Sequence, residues 1–265
     1  VKSIFMIPQM LYEQGLVEVI FKKFAKVGYV NASENWDTWN TIVNSLQITE
    51  NPIKIAMVGK YVTLADSYVS VNEALKHASA SINSSVSIDW IDSETLNGNI
   101  KKLSDYKGIL VPGGFGTRGS EGIIDTSSFA LEQNIPFLGI CFGFQLAAVS
   151  FGRSVCKLEE ANSTEISVDT KHPIIGLLPE QEGVSNMGGS LRLGANEINV
   201  NKNSLAHKIY NSEIIYKRHR HRYEFNTKYR EQFQKNGMNF TAESDNGKRM
   251  EILEVPSHKF YFGVQ

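Results

Sequence analysis

Cysteine is nearly absent: Cys141 and Cys156 are the two in 265 residues, too few for a disulfide framework and without the paired spacing of a zinc site. Such usage fits a reducing compartment. Neither sign of charge is in excess, with 27 Lys and Arg against 28 Asp and Glu for a net charge of −1. Bulk electrostatics therefore gives no reason to expect binding to nucleic acid or a membrane surface. Long hydrophobic runs are missing as well. The apolar stretches are about strand length, short of the ~18 residues a membrane span needs, and no charged-then-apolar leader with a cleavage site is present. Low-complexity tracts and short-period repeats are absent, and no G-x-x-x-x-G-K-[ST] phosphate loop occurs. These absences lead to the expectation of a soluble, cytoplasmic protein without a metal site. Apolar material is plentiful: 42% of residues are hydrophobic, with 14 Phe, 10 Tyr and 3 Trp. That content excludes disorder over most of the chain and supplies one large core, or a domain with an appendage.

The chain begins at Val1 and enters apolar sequence at once through Ile4, Phe5, Met6 and Ile7. It stops at Gln265, where Lys259 to Gln265 alternates and places Phe260, Phe262 and Val264 on one face. The expectation is a fragment whose sheet is interrupted rather than finished. Residues 1 to about 50 are helical in pattern, with Leu16, Val19, Ile20 and Phe24 on one stripe and Trp36, Trp39, Val43 and Leu46 on another. The two tryptophans need a large partner, either the chain's own body or a missing upstream domain. From Asn51, with Pro52 at the boundary, strands and helices alternate. Ile53 to Val58, Val86 to Ile91, Gly108 to Val111 and Phe137 to Ile140 read as strands; Ala65 to Ile82, Ser120 to Gln133 and a stretch through Gln145 to Val149 read as helices. Such alternation implies a mostly parallel sheet covered on both faces. After about Ser154 the segments become mainly hairpin-like, with a helix near Thr227 to Lys235 and strands at Met238 to Ala242 and Arg249 to Val255. The expected fold is an α/β sandwich with a partly antiparallel extension.

Gly139-Ile140-Cys141-Phe142-Gly143 lies where a buried strand turns into a helix, in the G-x-nucleophile-x-G spacing of a nucleophile elbow. There the tight turn leaves no room for side chains two residues either side of the nucleophile. Backbone NH groups at the helix start are expected to depress the thiol's pKa. The plainer reading is a buried structural cysteine with two packing glycines; Cys156 has no such frame. A second glycine-rich loop, Pro112-Gly113-Gly114-Phe115-Gly116, ends another strand at the same sheet edge. Its NH groups could face a developing oxyanion, or the loop could be a mere turn.

Val111-Pro112-Gly113-Gly114-Phe115-Gly116 together with Gly139-Ile140-Cys141-Phe142-Gly143-Phe144-Gln145 resembles the class I (triad) glutamine amidotransferases, which have a flavodoxin-like sandwich. Further strings are similar to the C-terminal glutaminase domain of the CTP synthase family. These are Met57-Val58-Gly59-Lys60-Tyr61, Glu73-Ala74-Leu75-Lys76-His77, Glu160-Ala161-Asn162-Ser163-Thr164-Glu165, Met187-Gly188-Gly189-Ser190-Leu191-Arg192-Leu193-Gly194 and Arg218-His219-Arg220-His221-Arg222-Tyr223-Glu224. Ser3-Ile4-Phe5, Ile7-Pro8 and Gln14-Gly15-Leu16 resemble the end of that family's synthetase domain and its linker. The resemblance implies a boundary at residue 50: residues 1–50 as synthetase end and helical linker, residues 51–265 as a glutaminase domain cut short at its C-terminus.

The resemblance further implies that Cys141 attacks the carboxamide of L-glutamine, that backbone near Gly114, Phe142 and Gly143 holds the oxyanion, and that Gln145, Glu165 and Arg222 recognise the substrate. A carboxylate suits the ammonium end and an arginine the carboxylate end. On composition alone, Glu165 reads as a surface carboxylate and residues 218–222 as a solvated basic strand. By resemblance the ammonia feeds an N-terminal synthetase domain that aminates UTP to CTP with ATP and Mg2+, under GTP activation, in a homo-oligomer that is a tetramer in the family. One element has no counterpart. The family's general base is the His of a His-Pro-Glu segment; of His172, His207, His219, His221 and His258, none stands in that arrangement. Two other functions stay open: a catalytically inactive glutamine-binding or scaffold module of this fold, and another cysteine hydrolase on a flavodoxin-like sheet.

Overall fold

The computed structural model describes residues 4–24, 33–47, 50–62, 65–96, 98–178 and 191–265. Ser3 and the Met187-Gly188-Gly189-Ser190 string lie outside the described residues. The chain divides into two compact units, Val1–Ile53 with Val69–Ser87, and Lys54–Tyr68 with Ile88–Gln265.

The smaller unit holds α1 (Ile7–Glu13), α2 (Leu16–Lys23), α3 (Ser33–Ser45) and α4 (Val69–Ser81). Pro8 stands in the first turn of α1, where its missing NH costs no hydrogen bond. Gly15, at φ 78°, opens α2 in a left-handed conformation that a side chain would strain. The expected tryptophan stripe packs within this unit: Trp39 meets the Phe5 ring edge-on and donates Nε1 to the Phe5 carbonyl at 2.9 Å, while Trp36 lies against Tyr12. On α2, Val19 and Phe24 are 61% and 70% exposed.

In the larger unit a nine-stranded sheet runs in the order β2-β1-β3-β4-β12-β11-β10-β7-β8. Its first half comprises β1 (Ile53–Gly59), β2 (Val86–Asp92), β3 (Gly108–Val111) and β4 (Phe137–Ile140), with α5 (Ser120–Glu132) and α6 (Phe142–Ser154). A small second sheet takes β5 (Ala161–Ser163) and β6 (His172–Gly176). The chain continues through β7 (Arg192–Val200), α7 (Leu205–Tyr210), β8 (Ile214–His221), β9 (Glu224–Phe225) of the small sheet, α8 (Arg230–Lys235), β10 (Asn239–Ser244), β11 (Arg249–Glu254) and β12 (Tyr261–Val264). Pairing is parallel for β1 with β3, β3 with β4 and β4 with β12, and antiparallel from β12 outward to β8. This is the mostly parallel centre with an antiparallel extension.

Two cores follow from the period of the strands. Tyr261 and Leu253 belong to a large cluster with Phe137, Phe144 and Leu146, whereas their neighbours Phe262 and Ile252 belong to a second cluster with Ile198 and Ile215. α6 is buried from Phe142 to Gly152, so its position beneath the parallel strands is fixed by packing on every side. Burying one such phenylalanine stabilises the fold by roughly 1.5–3 kcal/mol. The sequence pattern passes over α7. Six residues are too few for a periodic signal, yet the Ser204 hydroxyl caps it by accepting from His207 N at 3.0 Å, and Asn211 closes it at φ 51°. Among the described residues no single helix is long and apolar enough to cross a membrane.

Candidate active site

Cys141 stands between β4 and α6 at φ 52° and ψ −99°, a conformation that costs a side-chain-bearing residue about 1–3 kcal/mol and persists only where its surroundings enforce it. Here they do. Cys141 N donates to the Val264 carbonyl at 2.7 Å, and Gln145 N donates to the Cys141 carbonyl at 3.0 Å. A Cβ at Gly139 would lie 2.6 Å from the Gly143 carbonyl group, and one at Gly143 would overlap the Val111 carbonyl oxygen. The glycine spacing therefore answers to the sharp strand-to-helix turn itself. Cys156 sits beyond α6 in apolar surroundings, where burial alone pushes its thiol up to about 11.

The expected depression of the Cys141 pKa is overturned. Burial pushes this thiol up to about 11; the Phe142 NH at the helix start pulls the other way, while the charges of Glu165 and Glu224 add to the rise. A helix terminus supplies about half a unit charge, and removing a thiolate from water outweighs that. Among the described residues no histidine is hydrogen-bonded to Cys141. His258 Nε2 bonds the Ala130 carbonyl at 3.0 Å, His172 faces Tyr229, and His219 and His221 bond each other at 3.2 Å.

The glycine loop after β3 lies directly over the nucleophile: a Cβ on Gly113 would be 3.8 Å from Cys141 Cβ, and one on Gly114 would touch the Phe142 ring at 3.5 Å. Glu165 reaches this loop, accepting from Gly116 N through Oε1 at 2.8 Å. Gln145, buried in the first turns of α6, donates its amide to the Tyr223 carbonyl at 3.0 Å and to Gln265 Oε1 at 3.2 Å. Arg222 is half-buried at the bend between β8 and β9, beside that same Tyr223. Gly114, Phe142, Gly143, Gln145 and Glu165 are thus gathered around Cys141, with Arg222 on the turn that Gln145 grips.

Two features were missed in the sequence. One is Lys60, only 5% exposed at the end of β1, whose ammonium donates to the Phe115 carbonyl at 2.8 Å and the Gly116 carbonyl at 2.5 Å. The other is a buried polar cluster across β7, β8, β9, β10 and β11. Arg192 pairs with Glu251 at 2.7 Å, Ser244 bonds the same carboxylate, and Arg249 Nε donates to Glu224 at 3.0 Å. His219 faces Glu251 at 3.7 Å and His221 faces Glu224 at 3.8 Å. Burial, reinforced by nearby positive charge, pushes His221 down to about 3, and burial lowers His219 too; burial raises Glu224 to about 7 against the pull of Arg192. The strand period was the available signal: along β8 both histidines point inward while Arg218 and Arg220 are exposed. The basic-strand reading of 218–222 thus holds for one face only. Among the described residues no group of three or more His, Cys, Asp and Glu could hold a metal ion.

The family model described as glutamine amidotransferase class-I matches residues 63–265. A CTP synthase from Archaeoglobus fulgidus is 45% identical over 264 residues, covering 100% of this chain and 49% of that protein. One from Halalkalibacterium halodurans is 44% identical over 268 residues, covering 99% and 49%. The chain spans about half the length of these curated relatives. Among solved structures, the glutaminase domain of Trypanosoma brucei CTPS with bound acivicin superposes with a TM-score of 0.75 at 35% identity, covering 80% of this chain and 84% of that one.

Proposed function

The chain belongs to the class I glutamine amidotransferases, alongside the glutaminase domains of the CTP synthase family, and from that premise we propose that it hydrolyses L-glutamine through Cys141. The observation that carries this reading is the enforced positive-φ turn at Cys141 beneath a glycine loop. The thiolate adds to the carboxamide carbon, and the resulting oxyanion is held by backbone NH groups at Gly114 and Phe142, with Gly143 keeping the turn tight. Ammonia leaves with a proton as the glutamyl thioester forms, and water then releases glutamate. Glu165 receives the substrate's ammonium, Arg222 its carboxylate, and Gln145 shapes the pocket between them.

A base must take the thiol's proton, since a thiol at about 11 is almost wholly protonated at neutral pH. The His-Pro-Glu segment that supplies it in the resembling family has no counterpart in residues 1–265. That observation favours a second reading in which this chain by itself binds glutamine with little or no turnover. In the whole protein, residues 1–50 would close a synthetase domain and link it to the glutaminase domain, residues 51–265. Ammonia would pass to that synthetase partner for ATP- and Mg2+-dependent amination of UTP to CTP, a cytoplasmic step of pyrimidine synthesis activated by GTP in a homo-oligomer. No G-x-x-x-x-G-K-[ST] phosphate loop occurs in residues 1–265, so ATP and Mg2+ would be held by the synthetase partner.

The test is covalent labelling with a glutamine-mimicking diazo-ketone, mapped by peptide mass spectrometry. Modification of Cys141, slowed by glutamine, is expected; modification of Cys156, or of neither thiol, would remove the assignment.

A further inference from the structure

Lys60 is a buried cation with no role in the mechanism above. Its ammonium sits 4.0 Å over the centre of the Phe142 ring while donating to the Phe115 and Gly116 carbonyls. Phe142 is the first residue of α6, so Lys60 touches both halves of the site: the glycine loop through hydrogen bonds and the nucleophile's helix through a cation–π contact. The Phe115–Gly116 peptide is held from both edges, its carbonyl by Lys60 and its NH by Glu165 Oε1 at 2.8 Å. Lys60 is anchored in turn, because Arg118 Nη2 donates to the Lys60 backbone carbonyl and Arg118 Nη1 pairs with Glu94 at 2.7 Å.

We propose that Lys60 and Glu165 clamp the Phe115–Gly116 peptide and so hold the oxyanion-binding loop in register with the first turn of α6, making Lys60 a positioning residue of the glutaminase site. The inference rests on the glutaminase reading. A glycine-rich loop is free to rotate its peptide planes, and an oxyanion site works only when its donors are fixed before charge develops. Two bonds to successive carbonyls and one to the intervening NH remove that freedom. No other side chain described here bridges residues 115–116 and Phe142 in this way. Burial disfavours the charged ammonium, as does Arg118, while Glu165 and Glu94 favour it, and the balance leaves Lys60 lowered to about 8. At about 8 the ammonium remains mostly protonated at neutral pH.

The experiment compares two reagents on the 265-residue chain. A chloroketone analogue of glutamine reacts through its carbonyl, which carries an oxyanion when the thiolate adds, and chloride leaves as the thioether forms. Iodoacetamide is attacked directly at carbon with loss of iodide and needs no oxyanion site. In Lys60→Met the saturating chloroketone rate at Cys141 is expected to fall at least tenfold relative to the iodoacetamide rate, while half-saturation moves little. Lys60→Arg, which can still donate to both carbonyls, should keep the ratio within about threefold. Hydrogen exchange supplies the structural readout: the Gly116 amide should lose protection in Lys60→Met while α6 amides keep theirs. An unchanged rate ratio in Lys60→Met overturns the clamp. If α6 also opens, Lys60→Gln is measured in the same way; should that variant release α6 as well, Lys60 is a general core residue and the proposal falls. Failure of the unsubstituted chain to react with the chloroketone while it reacts with iodoacetamide would instead count against the glutaminase reading.

Discussion

Gln145 and His221, from α6 and β8, share one acceptor: the Tyr223 carbonyl takes the Gln145 amide at 3.0 Å and His221 Nδ1 at 3.1 Å. A carbonyl only accepts, so His221 carries its proton on Nδ1. In a neutral ring its Nε2 then accepts, and the 3.2 Å bond to His219 Nδ1 makes His219 the donor. His219 is left with a bare Nε2 toward Glu251. Two neutral imidazoles thus hang in a chain from the carbonyl that the Cys141 helix also bonds through Gln145.

Acid should loosen this arrangement. The folded pKa of each histidine lies below its unfolded value, so the unfolded chain takes up protons first and stability falls as pH drops below about 6.5. Glu224 acts in the opposite sense. Raised to about 7, it is protonated in the folded state while still ionised in the unfolded one, down to about pH 4.3. Between those limits it offsets one histidine. Glu224→Gln removes the offset, and urea unfolding at pH 7, 6 and 5 should show a steeper acid loss than in the unsubstituted chain; equal slopes would contradict the coupling.

The thiol gives a second pH prediction. With Cys141 at about 11, its thiolate fraction at pH 8 is about two orders of magnitude below that of an unperturbed cysteine. Iodoacetamide should therefore modify it slowly, with a rate rising about tenfold per pH unit up to pH 10. A rate already level by pH 8 would show that the helix terminus outweighs burial.

Backbone crowding at the elbow can be tested separately. Gly143→Ala drives a methyl into the Val111 carbonyl of the adjacent strand, and overpacking of this kind typically costs about 1–3 kcal/mol. Gly176→Ala, whose new methyl would meet only the Thr164 side chain at 3.7 Å or beyond, should cost clearly less. Equal midpoints in urea for the two variants would mean that the turn relaxes freely.

Legibility followed range in the chain. β3 and β4 were readable because short apolar runs end at Pro112-Gly113 or at Cys141, and the elbow because its requirements fall within five residues. The Lys60 grip joins positions 55 and 56 residues apart, and nothing local in Met57-Val58-Gly59-Lys60-Tyr61 marks its lysine as buried. The raised thiol was hidden for a related reason. A helix start is visible in sequence, whereas desolvation depends on the loop after β3 and on Glu165 and Glu224 converging from elsewhere. Antiparallel pairing of β7 with β8 fixes which face of the Arg-His alternation turns inward, and that register is a tertiary fact.

Substrate recognition should separate from bond breaking at Arg222. If Arg222 binds glutamine's carboxylate, Arg222→Ala removes a charged pair worth about 1.5–3 kcal/mol. The glutamine concentration that protects Cys141 from the chloroketone should rise by roughly ten- to a hundredfold, with the iodoacetamide rate unchanged. In a protein that also carries the synthetase half, ammonia-dependent synthesis should continue while KM for glutamine rises. Loss of both activities together would place Arg222 in holding the fold or a domain interface.

Turnover by this chain alone should be slow. Departure of ammonia needs a proton donor and hydrolysis of the thioester needs a base, yet among the described residues the site holds no histidine bonded to Cys141, and His221 lies near 3, too weak a base to serve at neutral pH. General acid–base assistance typically contributes about 10² to 10⁴ in rate, so glutamate release by the 265-residue chain should be very slow even where glutamine protects Cys141. A version extended by a His-Pro-Glu segment after Gln265 should recover that factor and lower the pH at which Cys141 alkylates. Equal, robust glutamate release by both versions would make a histidine within residues 1–265 the base, with His219 and its bare Nε2 the first to replace.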